Sequence, residues 1–394
     1  MVELLSYIYF ISIGYSWVRY SIIIGIILFI GIKVKSKDSF LEMKRRYIYK
    51  TESFYLLLFF VSYYYFGYDN FQSKIDLLSI VNIVLNTFMC YYFGMLFAKD
   101  DISSIRIIFC VSIGLLLRTV YFTYYTYSYY PALFETRMLI DPLSNIEINS
   151  PSFSNDCLFS SVIATYYLVY RKVSILSKLF LVLVITIGII EGIILAARTF
   201  FIIYFIVLGL FMLKDLMQYN YKKIAYFVVI VFALFIFYSS FVSDYLDIYA
   251  SQINARFNDL GLESGRYELW YMGFINIFRY PFGSQGIPGL SGDASGSTWY
   301  HNYIFDTVKT SSILTLILLL IYQSYGMKSF FFYIWNPEKI MIIILFISTI
   351  SIMFSSIPLE SDIVIFVYFV LIQRILNNLY CIEYKNNKEG LAVE

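Results

Sequence analysis

Three side chains in this sequence have the chemistry to grip an anion and act on a hydroxyl group: Arg198, Arg266 and His301. His301 is the single histidine among 394 residues and stands beside Asn302, just past a polar stretch running from Ser243 to Thr298. Imidazole titrates at about 6.5, so neutral His301 is suited to accept a proton from a sugar hydroxyl as general base, with Asn302 orienting it or the ligand. Glu263 and Asp306 are alternative bases, and a lone loop histidine also reads as a surface residue without a task. Arg198 follows Ala196 and Ala197 at the end of one apolar run, and Thr199 opens the next. An arginine at the lip of such a tight hairpin faces water or an anion, because burial in hydrocarbon is costly; snorkelling to the interface is the alternative. Arg266 lies in Glu263-Ser264-Gly265-Arg266 with Trp270 four residues on, a stretch that reads as an amphipathic helix along a membrane surface, entered through a glycine. Guanidinium groups bind phosphate oxygens bidentately and stay charged at every relevant pH. Two of them on one face form a diphosphate clamp that needs no metal and no cofactor. Glu191, seven residues before Arg198 and so on about the same helix face, reads as a partner to that arginine or as a structural polar contact.

The elements that must position these groups are membrane helices. Sixty per cent of the residues are hydrophobic and 14% are charged, a balance that no water-soluble core of this length accounts for. A span needs roughly 20 mostly apolar residues, and continuous runs such as Ile224 to Val242 exclude the alternating segments of a barrel. The expected fold is therefore an all-α integral membrane protein of 11–12 transmembrane helices, a single polytopic domain over 1–394. Spans are expected near 53–67, 77–98, 102–122, 157–170, 179–197, 199–213, 224–242, 303–325, 340–358 and 363–380. Leu4 to Ile32 is either one tilted helix or two short ones. The four cysteines are far apart and indicate neither a disulfide framework nor a metal site. No basic tract is long enough to suggest nucleic acid. The first apolar run lacks a basic flank and a cleavage site, so it reads as a retained span.

Lys33 to Lys50 carries seven basic residues and is assigned to the cytoplasm. Alternating from there puts 19 Lys and Arg inside and seven outside. The C-terminus falls inside, and two long outer loops result, 123–156 and 243–302. Long loops with defined chemistry carry function more often than short ones do. The tyrosine-rich run Tyr121 to Tyr130 in the first loop reads as an interfacial aromatic belt, with sugar stacking as the alternative. The second loop holds Pro281-Phe282-Gly283-Ser284-Gln285-Gly286, whose glycines allow close backbone approach to a ligand or serve only a flexible connector. It contains no Asp-x-Asp pair, which argues against a magnesium-dependent transferase.

The ordered set Ala197-Arg198-Thr199, Ser264-Gly265-Arg266 with Trp270, Pro281-Phe282-Gly283-x-x-Gly286 and His301-Asn302 resembles the bacterial O-antigen ligase and polymerase superfamily over roughly residues 150–360. The resemblance implies a C-type glycosyltransferase-like bundle with a long extracytoplasmic loop in the cytoplasmic (inner) membrane. It further implies metal-independent transfer of a glycan from undecaprenyl diphosphate to a sugar hydroxyl. Arg198 and Arg266 would hold the lipid diphosphate and His301 would activate the acceptor; Asn302, Glu263, Trp270 and Glu191 are candidate supporting residues on their positions in the sequence. The ligase branch usually has glycine nine residues after His-Asn; here the position is Ser312, which turns the expectation toward a polymerase of O-antigen or capsule repeat units. A ligase acting on lipid A core is the nearest alternative. A lipid-linked glycan flippase is the alternative of another class, disfavoured because this chain places its candidate ionisable groups outside rather than at the membrane midplane, Glu191 excepted. A separate chain-length regulator is an expected partner, on the resemblance alone.

Overall fold

The computed structural model describes residues 2–15, 18–35, 47–67, 77–131, 138–142, 147–149, 151–195, 198–217, 225, 266–283, 300, 302–334, 336, 339–354 and 363–391. Among the described residues the chain is overwhelmingly helical. In order, the elements are α1 (Val2–Gly14), α2 (Val18–Lys35), α3 (Tyr47–Phe66), α4 (Leu77–Phe97), α5 (Asp101–Tyr129), a hairpin of β1 (Met138–Ile140) and β2 (Glu147–Asn149), α6 (Pro151–Tyr170), α7 (Ile175–Ile194), α8 (Arg198–Met217), α9 (Arg266–Arg279), α10 (Tyr303–Thr310), α11 (Ile313–Tyr333), α12 (Ile340–Met353) and α13 (Ile363–Leu391). Among the described residues, five helical segments are long and apolar enough to cross a membrane, those at Ile80–Phe97, Asp101–Tyr129, Ile175–Ile194, Ile313–Tyr333 and Ile365–Glu383, and four shorter apolar helices accompany them. The expected span at 224–242 lies outside the described residues.

Local sequence accounts for several helix starts. Ser174 caps α7, accepting a hydrogen bond from the Ser177 amide, which relieves one of the orphan donors of the first turn. Asp100 and Ser103 cap α5 reciprocally: the Ser103 amide donates to the Asp100 carboxylate and the Asp100 amide to the Ser103 hydroxyl. These contacts, led by the Ser103 backbone, hold the Asp100 carboxyl below the usual carboxylate range. The ambiguous start of the chain is two helices, α1 and α2, packed on each other.

The expected span at 303–325 is broken into α10 and α11. Ser311 and Ser312 separate the two helices, and Ser312 caps α11 by accepting from the Thr315 amide. The next free donor, the Ile313 amide, bonds to the Pro281 carbonyl at 2.7 Å. Pairing these donors outside the regular ladder lowers the cost of the break.

Two compact units make up the chain: Met1–Ile108 with Gly265–Glu394, and Phe109–Ser264. The first is organised around α13. Its Arg374 is fully buried and ion-paired at 2.7 Å with Glu52 of α3, which is equally buried. The same Glu52 carboxylate accepts from Asn377 at 2.8 Å and from Tyr91 of α4 at 3.2 Å, and the guanidinium lies 4.8 Å from the centre of the Tyr91 ring. Gln373 donates to the Tyr322 carbonyl of α11. Four helices thus meet at one polar knot, with the packed rings of Phe59, Phe366 and Phe369 in the same unit. Near one end of this unit Lys339 bridges Asp101 and Glu383 at 2.6 and 2.8 Å. Burial pulls Lys339 down, but the two carboxylates outweigh it and hold its ammonium above the ordinary value.

The second unit packs α6 against α7 and α8. Arg118 of α5 and Asp156 of α6 form a buried pair at 3.4 Å, with the guanidinium 4.7 Å from the centre of the Phe153 ring. The Ile140 amide of β1 donates to the Thr126 hydroxyl of α5, and Leu139 joins Phe122, Phe153 and Leu195 in a small core. The hairpin therefore docks on the last turns of α5, which continue through the tyrosine-rich run.

Candidate functional site

Arg266 is the first residue of α9, and Arg198 is the first residue of α8. A helix N-terminus carries partial positive charge and free N–H groups, an environment that favours an anion and opposes a cation. His301 and Glu263 lie outside the described residues.

The chain on both sides of His301 is held tightly. Asp306, in the first turn of α10, receives the Tyr300 amide on one carboxylate oxygen at 2.8 Å and the Asn302 amide on the other at 2.9 Å. Trp270 of α9 donates its indole N–H to the Tyr300 carbonyl at 3.1 Å, and Asn276 donates to the Tyr300 hydroxyl at 2.8 Å. Tyr300 is buried against Leu269, Met272 and Phe305; this burial pushes its phenol above the ordinary range, against the Asn276 bond that favours the phenolate. Asn302 is buried and caps α10, its side-chain oxygen accepting from the Ile304 amide.

Of the expected supporting residues, Trp270 and Asn302 are thus brought to one segment, while Glu191 is buried in the other unit and accepts from Thr123 of α5 at 2.8 Å. Asp306, named from the sequence as an alternative base, has both oxygens engaged by the main chain. Sequence reading missed its clamping role, although an acidic residue in the first turn behind an Asn cap is a legible helix-start signal.

Close packing of α9 on α10 fixes the clamp further. A Cβ at Gly273 would fall 2.7 Å from the Phe305 ring. After α9 the chain turns through Pro281, Phe282 and Gly283. Gly283 has φ of +80°, and a side chain there would run into the Ser311 carbonyl. The first glycine of the Pro-Phe-Gly motif is accordingly required by the turn that seats α9 on the α10–α11 junction. Gly283→Ala is expected to lower the unfolding midpoint of the purified protein by the equivalent of about 1–3 kcal/mol, measured by thermal denaturation in detergent; an unchanged midpoint would contradict this account.

α9 itself is amphipathic. Tyr267, Tyr271, Phe274 and Phe278 are exposed along one side while Trp270 and Gly273 face α10. Among the described residues, no three His, Cys, Asp or Glu side chains lie close enough to share a metal ion. No known family model matches the chain, and no curated protein matches it significantly.

Proposed function

We propose that this chain is a polysaccharide polymerase of the O-antigen ligase and polymerase superfamily, with a C-type glycosyltransferase-like bundle, acting at the outer face of the bacterial cytoplasmic membrane with its C-terminus inside. In this reading the donor is a growing glycan on undecaprenyl diphosphate and the acceptor a lipid-linked repeat unit. Arg198 and Arg266 hold the diphosphate and stabilise the charge that develops as it leaves. His301 takes the proton of the acceptor hydroxyl, whose oxygen forms the new bond to the anomeric carbon as the bond to the diphosphate breaks. A chain-length regulator is the expected protein partner.

The observation that supports the reading is the clamp on residues 300 and 302, the sequence neighbours of the single histidine, by Asp306 of α10 and Trp270 of α9. The exposed aromatic side of α9 supports it, since an interfacial helix presents such a face to lipid.

The test is the glycan profile of a deletion strain complemented with His301→Ala, Arg198→Ala or Arg266→Ala. Surface or carrier glycan confined to single repeats is expected for each. Full-length polymer stranded on the carrier would indicate a ligase instead, and normal long chains in all three would refute the site.

A second reading, a lipid-linked glycan flippase, is favoured by one observation: Arg374 and Arg118, each in a buried ion pair, lie within helices apolar enough to cross a membrane, where ionisable groups commonly mark transport pathways. Retention of lipid-linked units on the inner leaflet in the same strains would select it.

A further inference from the structure

The last turns of α5 carry a feature that neither the clamp nor the arginines use. Between Tyr121 and Tyr130 the sequence holds six tyrosines, and no charged residue occurs from 119 to 134. Phe122, Thr123 and Thr126 point inward, and Thr126 is fully buried. Tyr121, Tyr124, Tyr127 and Tyr129 are exposed, Tyr124 at 66% and Tyr129 at 67%. Every aromatic ring on the outward arc of the helix therefore carries a hydroxyl, and the one that lacks it is inside. Tyr121, Tyr125 and Tyr129 follow at one-turn spacing, with ring centroids 6.4 and 4.9 Å apart, and Tyr130 adds a fourth ring 6.0 Å from Tyr125.

Two observations lift these rings out of the hydrocarbon layer. α5 has 29 residues, so it is about 43 Å long, against a hydrocarbon thickness of roughly 30 Å. With Asp101 at one interface, Tyr121 reaches the other and Tyr125 to Tyr129 stand beyond it. Independently, the β1–β2 hairpin docks at the level of Thr126 through the Ile140 amide, and its Glu147 is exposed. Lipid-facing open strands do not occur within hydrocarbon. An aromatic belt at the headgroup level accounts for Tyr121 to Tyr125, but Tyr127 and Tyr129 stand beyond it. The distribution of basic residues assigns this end of α5 to the outside.

We propose that the tyrosine face of α5 is a carbohydrate-binding platform that stacks uncharged pyranose rings of a repeating glycan. Aromatic rings are electron-rich on their faces, and the C–H groups of a sugar ring, polarised by the neighbouring oxygens, are the complementary positive edge. The phenol hydroxyls supply hydrogen bonds to the sugar hydroxyls at the rim. A charge-free surface suits a neutral polymer better than an anionic headgroup, and a ladder of rings one helical turn apart suits a ligand that repeats. The proposal draws on the polymerase reading only for the source of the glycan.

The test uses the full chain in nanodiscs and, as probe, the oligosaccharide ladder released by mild acid from the surface polysaccharide of the producing cell, titrated with ligand-observed NMR. Wild type is expected to bind longer oligosaccharides more tightly than single repeats. Tyr124→Ser/Tyr125→Ser/Tyr129→Ser is expected to weaken binding by about tenfold or more, and the matching triple change to Phe, which keeps the rings, by less than about threefold. Equal affinity in wild type and the serine variant overturns the proposal. So does a serine variant that changes only self-association or co-purifying phospholipid. Binding is read without transfer, so long chains persisting in the uncomplemented deletion strain would remove the polymerase reading and leave this one standing.

Discussion

Glu52→Ala is expected to destabilise the first unit by about 3–5 kcal/mol, the usual consequence of leaving one member of a buried ion pair without its partner. Arg374 would be stranded with no exposure to water, and Asn377 and Tyr91 would lose their acceptor as well. The measurable result is a sharp fall in folded protein recovered from membranes and a lower midpoint on denaturant titration in detergent. Glu52→Gln/Arg374→Met should recover most of the loss, because it removes both charges while the amide keeps an acceptor for Asn377. Wild-type stability in Glu52→Ala would show that the pair is not the knot described here. The same double variant bears on the flippase reading: a structural knot leaves glycan export intact once folding is restored, whereas a transport element does not.

Asp306→Ala should have the second largest effect, and chiefly on activity. It removes the acceptor of two buried main-chain N–H groups, each worth about 1–3 kcal/mol when left unpaired. Amide exchange at Tyr300 and Asn302 should rise markedly while exchange in α13 stays slow. Under the polymerase reading, long chains should be lost together with the increased exchange. Loose amides with normal chain length would separate the clamp from the chemistry, and unchanged exchange would refute the clamp itself.

How far the sequence reaches is clear from particular elements. The apolar runs near 77–98, 102–122 and 179–197 correspond to α4, α5 and α7, because helix formation in an apolar solvent depends on the run itself. The two-serine break at 311–312 was passed over in favour of one span at 303–325, since hydropathy averages across two residues while capping acts on them singly. The tyrosine run was visible as composition. Its division into an inward Phe122 and an outward tyrosine arc needed the hairpin that covers the other side of α5.

The sequence alone determined the class of protein, the main apolar helices and the set of residues with chemistry to offer, because hydrophobicity, charge and residue type are properties each residue carries by itself. Tertiary structure decided which charges are paired and which carboxylate holds the chain around the histidine. Glu52 and Arg374 are 322 residues apart, and Asp306 reaches back over a turn of backbone to Tyr300. A buried charge or an unpaired N–H is made tolerable only by the group placed against it, and that neighbour is chosen by the packing of helices, which no local pattern encodes.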